Sequence, residues 1–404
     1  MISVEEARSR LLEPLTALGV EQVSLGDAFG RVLAEDIASR RTQPPFAVSA
    51  MDGYAVRASD VVDIPARLRV VGSAPAGQSY DRDLLSGEAV RIFTGAPLPA
   101  GADAVVIQED ADRDGDIVLV RESSVVGRHV RASGLDFRDG EIKLAAGRRL
   151  TARDIGLAAA MNRPWLPVRR RPRVAILPTG DEVVLPGDPV GPNQIVSSNG
   201  FALAALVTAC GGTPLSLPIA PDERGALQRL AVAATGADLF VTTGGASVGE
   251  HDLVREALGA AGLVLDFWTI AMRPGKPLMV GRFRDMPMIG LPGNPVSSMI
   301  CALLFLVPAI EKLSGLTGQP EPRLKARLAA ALPANDPRED YMRASLLRLA
   351  DGTLEATPFA KQDSSMMSML AAADCLVVRE PHAPPAKAGD SVDIVLFGSY
   401  AFPL

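Results

Sequence analysis

The sequence is poor in the residues on which metal, redox and nucleic-acid chemistry usually depend. Its three cysteines, Cys210, Cys301 and Cys375, are scattered through apolar segments with no CxxC pair. That excludes a disulfide framework and a thiolate metal site, and reads as small buried hydrophobes in a reducing compartment. Only His129, His251 and His382 are available to an imidazole-rich zinc or iron centre. Aromatic residues make up 4% of the chain, which argues against stacking platforms for single-stranded nucleic acid. There is no excess of positive charge either. The net charge of −6 excludes a general affinity for nucleic acid or anionic membrane. The longest apolar run, Met299 to Val307, falls far short of a membrane span, and the N-terminus carries no signal-type apolar core. These absences predict a cytoplasmic protein with neither a membrane nor a nucleic-acid partner.

What is present is an ordinary globular composition, 48% hydrophobic and 22% charged, in 404 residues. That length exceeds one typical core, so several domains are expected. Ser3-Val4-Glu5-Glu6 is a capping-box start, and Val4, Ala7, Leu11, Leu15 and Leu18 keep helical spacing, although Pro14 weakens that reading or kinks the helix. Val20 to Leu25 reads as a strand, and Asp27 is placed to cap a second helix running to Ala34. Past the Pro44-Pro45 linker, short β-type runs at Arg67–Val71, Ala89–Phe93, Ala104–Gln108 and Ile117–Val120 make a small all-β module. Helical pattern returns at Leu150 to Met161. The module is therefore read as an insertion that leaves a discontinuous helical domain around it.

After a Pro- and Arg-rich connector, Arg163 to Arg173, strands and helices alternate as far as Leu313. Such alternation implies a mostly parallel sheet with helices on both faces. Beyond Gly315 to Pro322, runs at Arg343–Leu349, Leu376–Val378 and Val392–Phe397 predict a β-barrel or sandwich. The expected architecture is thus α/β multidomain. It has a discontinuous helical domain (1–45 and 141–170), an inserted β-rich lid (46–140), a central mostly parallel α/β domain (171–316) and a C-terminal β domain (317–404).

Ligands of open α/β sheets bind outside the carboxyl ends of the strands. Three strand ends here carry unusual sequences: Pro178-Thr179-Gly180-Asp181-Glu182, Thr243-Gly244-Gly245-Ala246-Ser247 leading on to Asp252, and Gly290-Leu291-Pro292-Gly293-Asn294-Pro295. The last reads as a strand-to-helix turn with Asn294 as cap and Pro295 at the first helical position. Such turns aim backbone N–H groups and a helix dipole at an anion, while nearby acids can hold a hydrated divalent cation. An ordinary capped turn has the same composition, so each segment alone leaves both readings open. Arg273-Pro274-Gly275-Lys276 offers two cations for phosphate or else a plain surface loop. Asp52 within Met-Asp-Gly-Tyr, Thr94 within Thr-Gly-Ala-Pro, and Asp136 are loop residues of the lid able to complete a cleft if it folds over a neighbour. Neither a Walker A loop nor a GxGxxG fingerprint is present.

Taken together, SAMDGYAV, FTGAPLP, TGDE, SSN, TTGGASVGEHD, MRPGKP and GLPGNPVSS stand in the order and near the spacing of the molybdopterin molybdenumtransferases. This is the MoeA family, related to the E domain of gephyrin, and the resemblance spans essentially the whole chain. It implies a homodimer whose cleft is shared between subunits. It also implies insertion of molybdenum from molybdate into adenylylated molybdopterin, with release of AMP and assistance from Mg²⁺. Contacts with the adenylyltransferase that makes the substrate, and with acceptor molybdoenzymes, follow from the same resemblance.

By motif, Asp52, Thr94, Asp136, Glu182 and Asp252 match catalytic positions, with Glu182 and Asp252 on the cation side. Thr179, Gly180, Asp222, Gly244, Gly245 and Ser247 match substrate-binding positions. So do Arg273, Lys276, Pro292, Asn294, Pro295 and Ser364. Four positions depart from the family pattern: Arg273 and Thr269 stand where lysine occurs, and Leu135 and Ser197 where acids occur. The α/β motifs alone also suit a molybdopterin adenylyltransferase or a nucleotide hydrolase. A non-enzymatic dimeric scaffold is a third reading.

Overall fold

The computed structural model describes residues 1–244, 253–316 and 323–397. Helix α1 (Val4–Leu12) starts as its capping box predicts, with Ser3 Oγ accepting the Glu6 N–H at 3.1 Å, and it ends before Pro14. Its apolar face, Val4, Ala7 and Leu11 followed by Leu15, is buried in the core of the central sheet. The first 18 residues therefore pack against the α/β unit.

Strand β1 (Val20–Ser24) leads into a single 3-10 turn, Leu25–Asp27, where a helix to Ala34 was expected. Ser24 Oγ donates to Asp27, and Gly30 turns the chain at φ 72°, so no second turn propagates. Ala28, Leu33 and Ile37 share one core with Phe137, Leu144, Leu150 and Met161. Residues on both sides of the lid thus build a single unit, and the insertion is real. That unit is less helical than the sequence suggested. It holds one helix, α2 (Ala152–Ala160), among short antiparallel ribbons.

The lid is a six-stranded sheet of β2 (Gly53–Val56), β3 (Ala66–Ala74), β4 (Glu88–Ile92), β5 (Ala104–Ile107), β6 (Ala111–Asp114) and β7 (Ile117–Val120), in the order β5-β2-β4-β3-β7-β6. Alternation along the strands sorts Tyr54, Val56, Ala104 and Val106 to one apolar cluster, and Ala55 and Val105 to another. The chain then returns through α2 to β8 (Trp165–Arg169), which pairs antiparallel with β1.

The central sheet contains β9 (Arg173–Pro178), β10 (Thr213–Ser216), β11 (Leu239–Thr243), β12 (Leu263–Thr269), β13 (Pro277–Phe283) and β14 (Met286–Leu291), in the order β10-β9-β11-β14-β13-β12. The first four in that order are parallel, whereas β13 runs antiparallel to both its neighbours. Strand β13 was not expected. Its hairpin turns on Arg284 at φ 58° with no glycine, so the usual sequence signal is missing.

Val174, Ile176, Leu239 and Val241 face α1, α3 (Asn199–Ala209) and α6 (Pro295–Leu313). Ala175, Leu177 and Phe240 face α4 (Arg224–Ala233) and α5 (Leu253–Ala260) on the other side. Helix α6 is long and apolar enough to cross a membrane, but 78% of its apolar window is buried in this structure, which makes it a core helix. A π-turn at Ala302–Leu306 precedes Pro308. Without that turn the proline ring would meet the carbonyl four residues back.

Strands β15 (Leu324–Leu328), β16 (Glu339–Arg348), β17 (Leu354–Pro358), β18 (Cys375–Arg379) and β19 (Ser391–Leu396) close a five-stranded barrel through pairing of β16 with β18. Cys375 and Val377 point into it, while Leu376 and Val378 join the core of the central sheet. A short helix, α7 (Met367–Ala371), lies in the β17–β18 connection.

The β12–β13 pair depends on one backbone approach. A Cβ on Gly281 would lie 2.3 Å from the Val264 carbonyl oxygen. Gly281→Ala is expected to lower unfolding free energy by about 2–4 kcal/mol in denaturant titration; an unchanged midpoint would refute this contact.

Candidate active site

The carboxyl ends of β9, β11 and β14 meet in a cleft of about 830 Å³. The Thr179 N–H donates to the Thr243 carbonyl at 2.9 Å, and that of Gly180 to Ala220 at 3.1 Å. Gly244 adopts φ 96°, where a Cβ would stand 2.4 Å from the Thr179 carbonyl oxygen; one on Gly293 would stand 3.5 Å from Gly244 Cα. The glycines let three turns pack backbone against backbone.

Asn199, at the start of α3, joins two of them. Its Nδ2 donates to Thr243 Oγ1 at 2.9 Å and to the Gly293 carbonyl at 2.8 Å. Thr243 Oγ1 in turn lies within 3.4 Å of Ser298 Oγ. Sequence reasoning singled out neither Asn199 nor Thr243 as a site residue. The Ser-Ser-Asn motif ahead of an apolar helix was the available signal for Asn199.

Asn294 occupies the N-cap position of α6 but does not cap it with its side chain. Its Nδ2 donates to Ser364 Oγ at 2.9 Å, so the expected cap instead anchors a loop of the barrel. The same loop accepts the Val296 N–H on the Ser364 carbonyl at 3.0 Å. Pro295 has no N–H, which leaves Ser297 as the first-turn donor in the cleft wall. Two buried polar atoms of the wall, Thr179 Oγ1 and Asn199 Oδ1, have no protein partner among the described residues.

Of the expected site residues, Thr179, Glu182, Gly244, Pro292, Asn294, Pro295 and Ser364 line this cleft. Gly180 lies directly between two of its segments. Asp222 stands beside it, its N–H donating to Asp181 at 2.9 Å. Burial, together with the charges of Asp181 and Glu182, holds the Asp222 carboxyl above its ordinary value. Gly245, Ser247 and Asp252 lie outside the described residues.

Arg273 is not among the residues that line the cleft. Its guanidinium is taken by the barrel through ion pairs with Asp340 and with Asp336 at 3.0 Å, and the Asp340 hydrogen bond raises its pKa. Lys276 is exposed beside Pro277 of the cleft wall and makes no ion pair among the described residues.

The lid residues form a separate group. Asp52 Oδ1 accepts from the Thr94 N–H at 2.8 Å and from its hydroxyl at 2.9 Å. These bonds, aided by Arg91, keep the carboxyl below its ordinary range. Asp136 is exposed on another loop. None of the three lines the cleft of its own chain.

Among the described residues no group of three or more His, Cys, Asp or Glu side chains stands ready to cage a metal. Glu182 is the carboxylate that lines this cleft among the described residues. A magnesium ion that keeps its waters and shares phosphate oxygens asks for only one or two carboxylates, so the donor set fits.

Family models cover the chain in three blocks. Residues 2–162 match the MoeA N-terminal region (domains I and II), 175–312 a probable molybdopterin binding domain, and 325–397 the MoeA C-terminal region (domain IV). A molybdopterin molybdenumtransferase from Haemophilus influenzae is 34% identical over 98% of this chain and 99% of its own length. One from Nostoc sp. is 40% identical over 83% of this chain and 79% of its own. Two crystal structures of the molybdopterin biosynthesis protein MoeA from Pyrococcus horikoshii match with TM-score 0.84. At 31% and 28% identity they cover 99% and 98% of this chain and all of theirs. A multidomain transferase with an α/β molybdopterin-binding core is the class these matches define. The chain belongs to the MoeA family of molybdopterin molybdenumtransferases.

Two outcomes follow from this geometry. Gly244→Ala puts a side chain into the Thr179 contact at a positive φ and is expected to cost about 1–3 kcal/mol in thermal unfolding. Asp336 is held at a pKa of about 2, first by the Arg338 hydrogen bond and then by Arg273 among its other contacts. Since its folded pKa lies below the ordinary carboxylate value, its contribution to stability is present above about pH 4 and lost as pH falls towards 2. Asp336→Asn should therefore cost roughly 1 kcal/mol at pH 7 and nothing below about pH 2, read from urea titrations at both values.

Proposed function

We propose that the cleft receives adenylylated molybdopterin and molybdate, and that the chain transfers molybdenum to the dithiolene sulfurs as AMP leaves. The single observation that carries this reading is the meeting of three strand-end turns at one polar cleft. Backbone N–H groups, including that of Ser297, bind oxyanion oxygens there with little reorganisation. Lys276 at the rim adds a cation, and hydroxyls of Ser297 and Ser364 supply donors for a tetrahedral oxyanion. Molybdate needs such donors more than soft ligands. The sulfurs that finally hold the metal belong to the pterin, so the buried state of all three cysteines costs the reaction nothing.

Glu182, with phosphate oxygens, would hold Mg²⁺, which supplies charge neutralisation at the phosphoanhydride. The protein's own residues position the oxyanion against that bond and exclude bulk water. Asp52, Thr94 and Asp136, absent from the cleft of their own chain, would reach that of a second copy in a homodimer. This accounts for a lid that carries an ordered carboxylate–hydroxyl pair away from its own subunit's cleft. The proposed location is the cytoplasm.

The family models cover the lid-bearing region and the barrel as well as the α/β domain. An adenylyltransferase, a hydrolase or a pure scaffold is therefore not favoured. AMP release from adenylylated molybdopterin should depend on molybdate; release that ignores it would point to hydrolysis. Glu182→Gln and Asp52→Asn are each expected to lower the rate about 10²-fold. Dimers reassembled from the two inactive variants should recover roughly a quarter of the wild-type rate, because half of the hybrids' sites are intact. No recovery would overturn the shared cleft.

A further inference from the structure

The Pro- and Arg-rich connector gathers positive charge in a chain whose net charge is −6. Arg169, Arg170, Arg171 and Arg173 come from the connector and the strand ends that flank it. Arg31 and Arg149 reach the same place from the discontinuous unit, beside Gly211 at the end of α3. Three of these guanidiniums have acids. Arg31 pairs with Glu21, Arg149 with Glu311 at 3.4 Å, and Arg170 with Asp238 through two bonds of 2.8 Å.

The other three side chains meet only carbonyls among the described residues. Arg169 donates to Leu18 at 3.1 Å, Arg171 to Gly211 at 3.5 Å, and Arg173 to Gly236. Asp238 does not relieve them, because it is held by Arg170 and also accepts the Arg173 backbone N–H at 2.7 Å. Arg171 is the least provided for. Its one bond stands at the long limit of a hydrogen bond. The residue is half-buried, and burial together with the charge of Arg31 holds its pKa below the ordinary value. A cation so placed gains most from an added anion.

Arg170, Arg171 and Arg173 surround an open cavity of about 520 Å³ with Thr213, at the start of β10, and Glu21 of β1. Arg173 and Thr213 are paired across the amino ends of β9 and β10, so the cavity lies at the end of the sheet opposite the cleft. Glu21, the acid on its rim, is committed to Arg31.

We propose that this cavity binds a phosphate dianion, held by the guanidiniums of Arg171 and Arg173 with the Thr213 hydroxyl as a further donor, and that the anion braces the connector between the discontinuous unit and the central sheet. Guanidinium forks match phosphate oxygens in pairs, and two charges without acids balance a dianion. A lone carboxylate would leave one of them uncompensated. Free phosphate and the phosphate of a monoester share this chemistry. The site is separate from the cleft, and the inference stands whatever the cleft transfers.

The test titrates the full-length protein with inorganic phosphate, and separately with glycerol 3-phosphate, at constant ionic strength in a calorimeter. Saturable binding is expected in the wild type, and Arg171→Met and Arg173→Met should each weaken it about tenfold. A tighter fit for glycerol 3-phosphate would support the proposal with a phosphorylated metabolite as occupant; a tighter fit for the free ion would support it with inorganic phosphate. Phosphate should also raise the wild-type Tm more than sodium chloride of equal ionic strength, and this difference should vanish in Arg171→Met. No saturable binding in the wild type, or undiminished binding in both variants, would overturn the proposal. So would an Arg171→Met variant destabilised equally with and without phosphate, since the arginine would then only cap α3. Arg173→Met leaves the α3 carbonyls untouched and carries the test if Arg171→Met does not fold.

Discussion

The site depends on backbone touching backbone. Thr179, Gly244 and Gly293 end three parallel strands, and they approach so closely that a Cβ on Gly244 would overlap the Thr179 carbonyl. A sheet alone brings strand ends within several ångströms of one another. Glycine at the contact removes the remaining distance, and the Asn199 amide then ties Thr243 to Gly293. The other features of the cleft, its exposed N–H groups, hydroxyls and rim acids, are arranged around that packed junction.

The barrel is attached to this junction in two ways. Leu376 and Val378 alternate out of the barrel into the apolar core shared with α1 and α6. Polar contacts then set the details. Arg273 crosses to Asp340 and Asp336, and the loop around Ser364 crosses back to Asn294. Apolar burial supplies most of the adhesion, whereas the directional bonds fix where the loop meets the cleft. Arg273 shows how a cation in a Pro-Gly turn can join two units through acids more than sixty residues away in sequence.

Much of this was legible from local pattern. The alternation of β9, β11 and β14 with helices, the capping box of α1 and the insertion of the lid all rest on signals contained in a few residues. The turns at Thr179, Gly244 and Asn294 were identifiable because glycine and proline mark them. What escaped had no local signature. Strand β13 starts on the proline of a Lys-Pro pair and turns on Arg284 without a glycine. Helix α1 resembles its sequence neighbours, yet it packs on a sheet that begins 160 residues later. Asn294 has the composition of a cap, but its amide meets a better partner in Ser364. Tertiary contacts decided each of these cases, and none of them can be read from a window of ten residues.

Closure of the barrel through β16 and β18 has a further consequence for how the molecule can deform. A closed cylinder has no splayed edge along which to open, and its outer strand faces are already sunk into the sheet's core. Swinging it away would expose Tyr341, Leu376, Val378 and Val395 to water together. The lid's apolar clusters, by contrast, draw only on its own residues. The sheet and barrel are thus bound through one apolar core, and none of the lid's apolar clusters is shared with either.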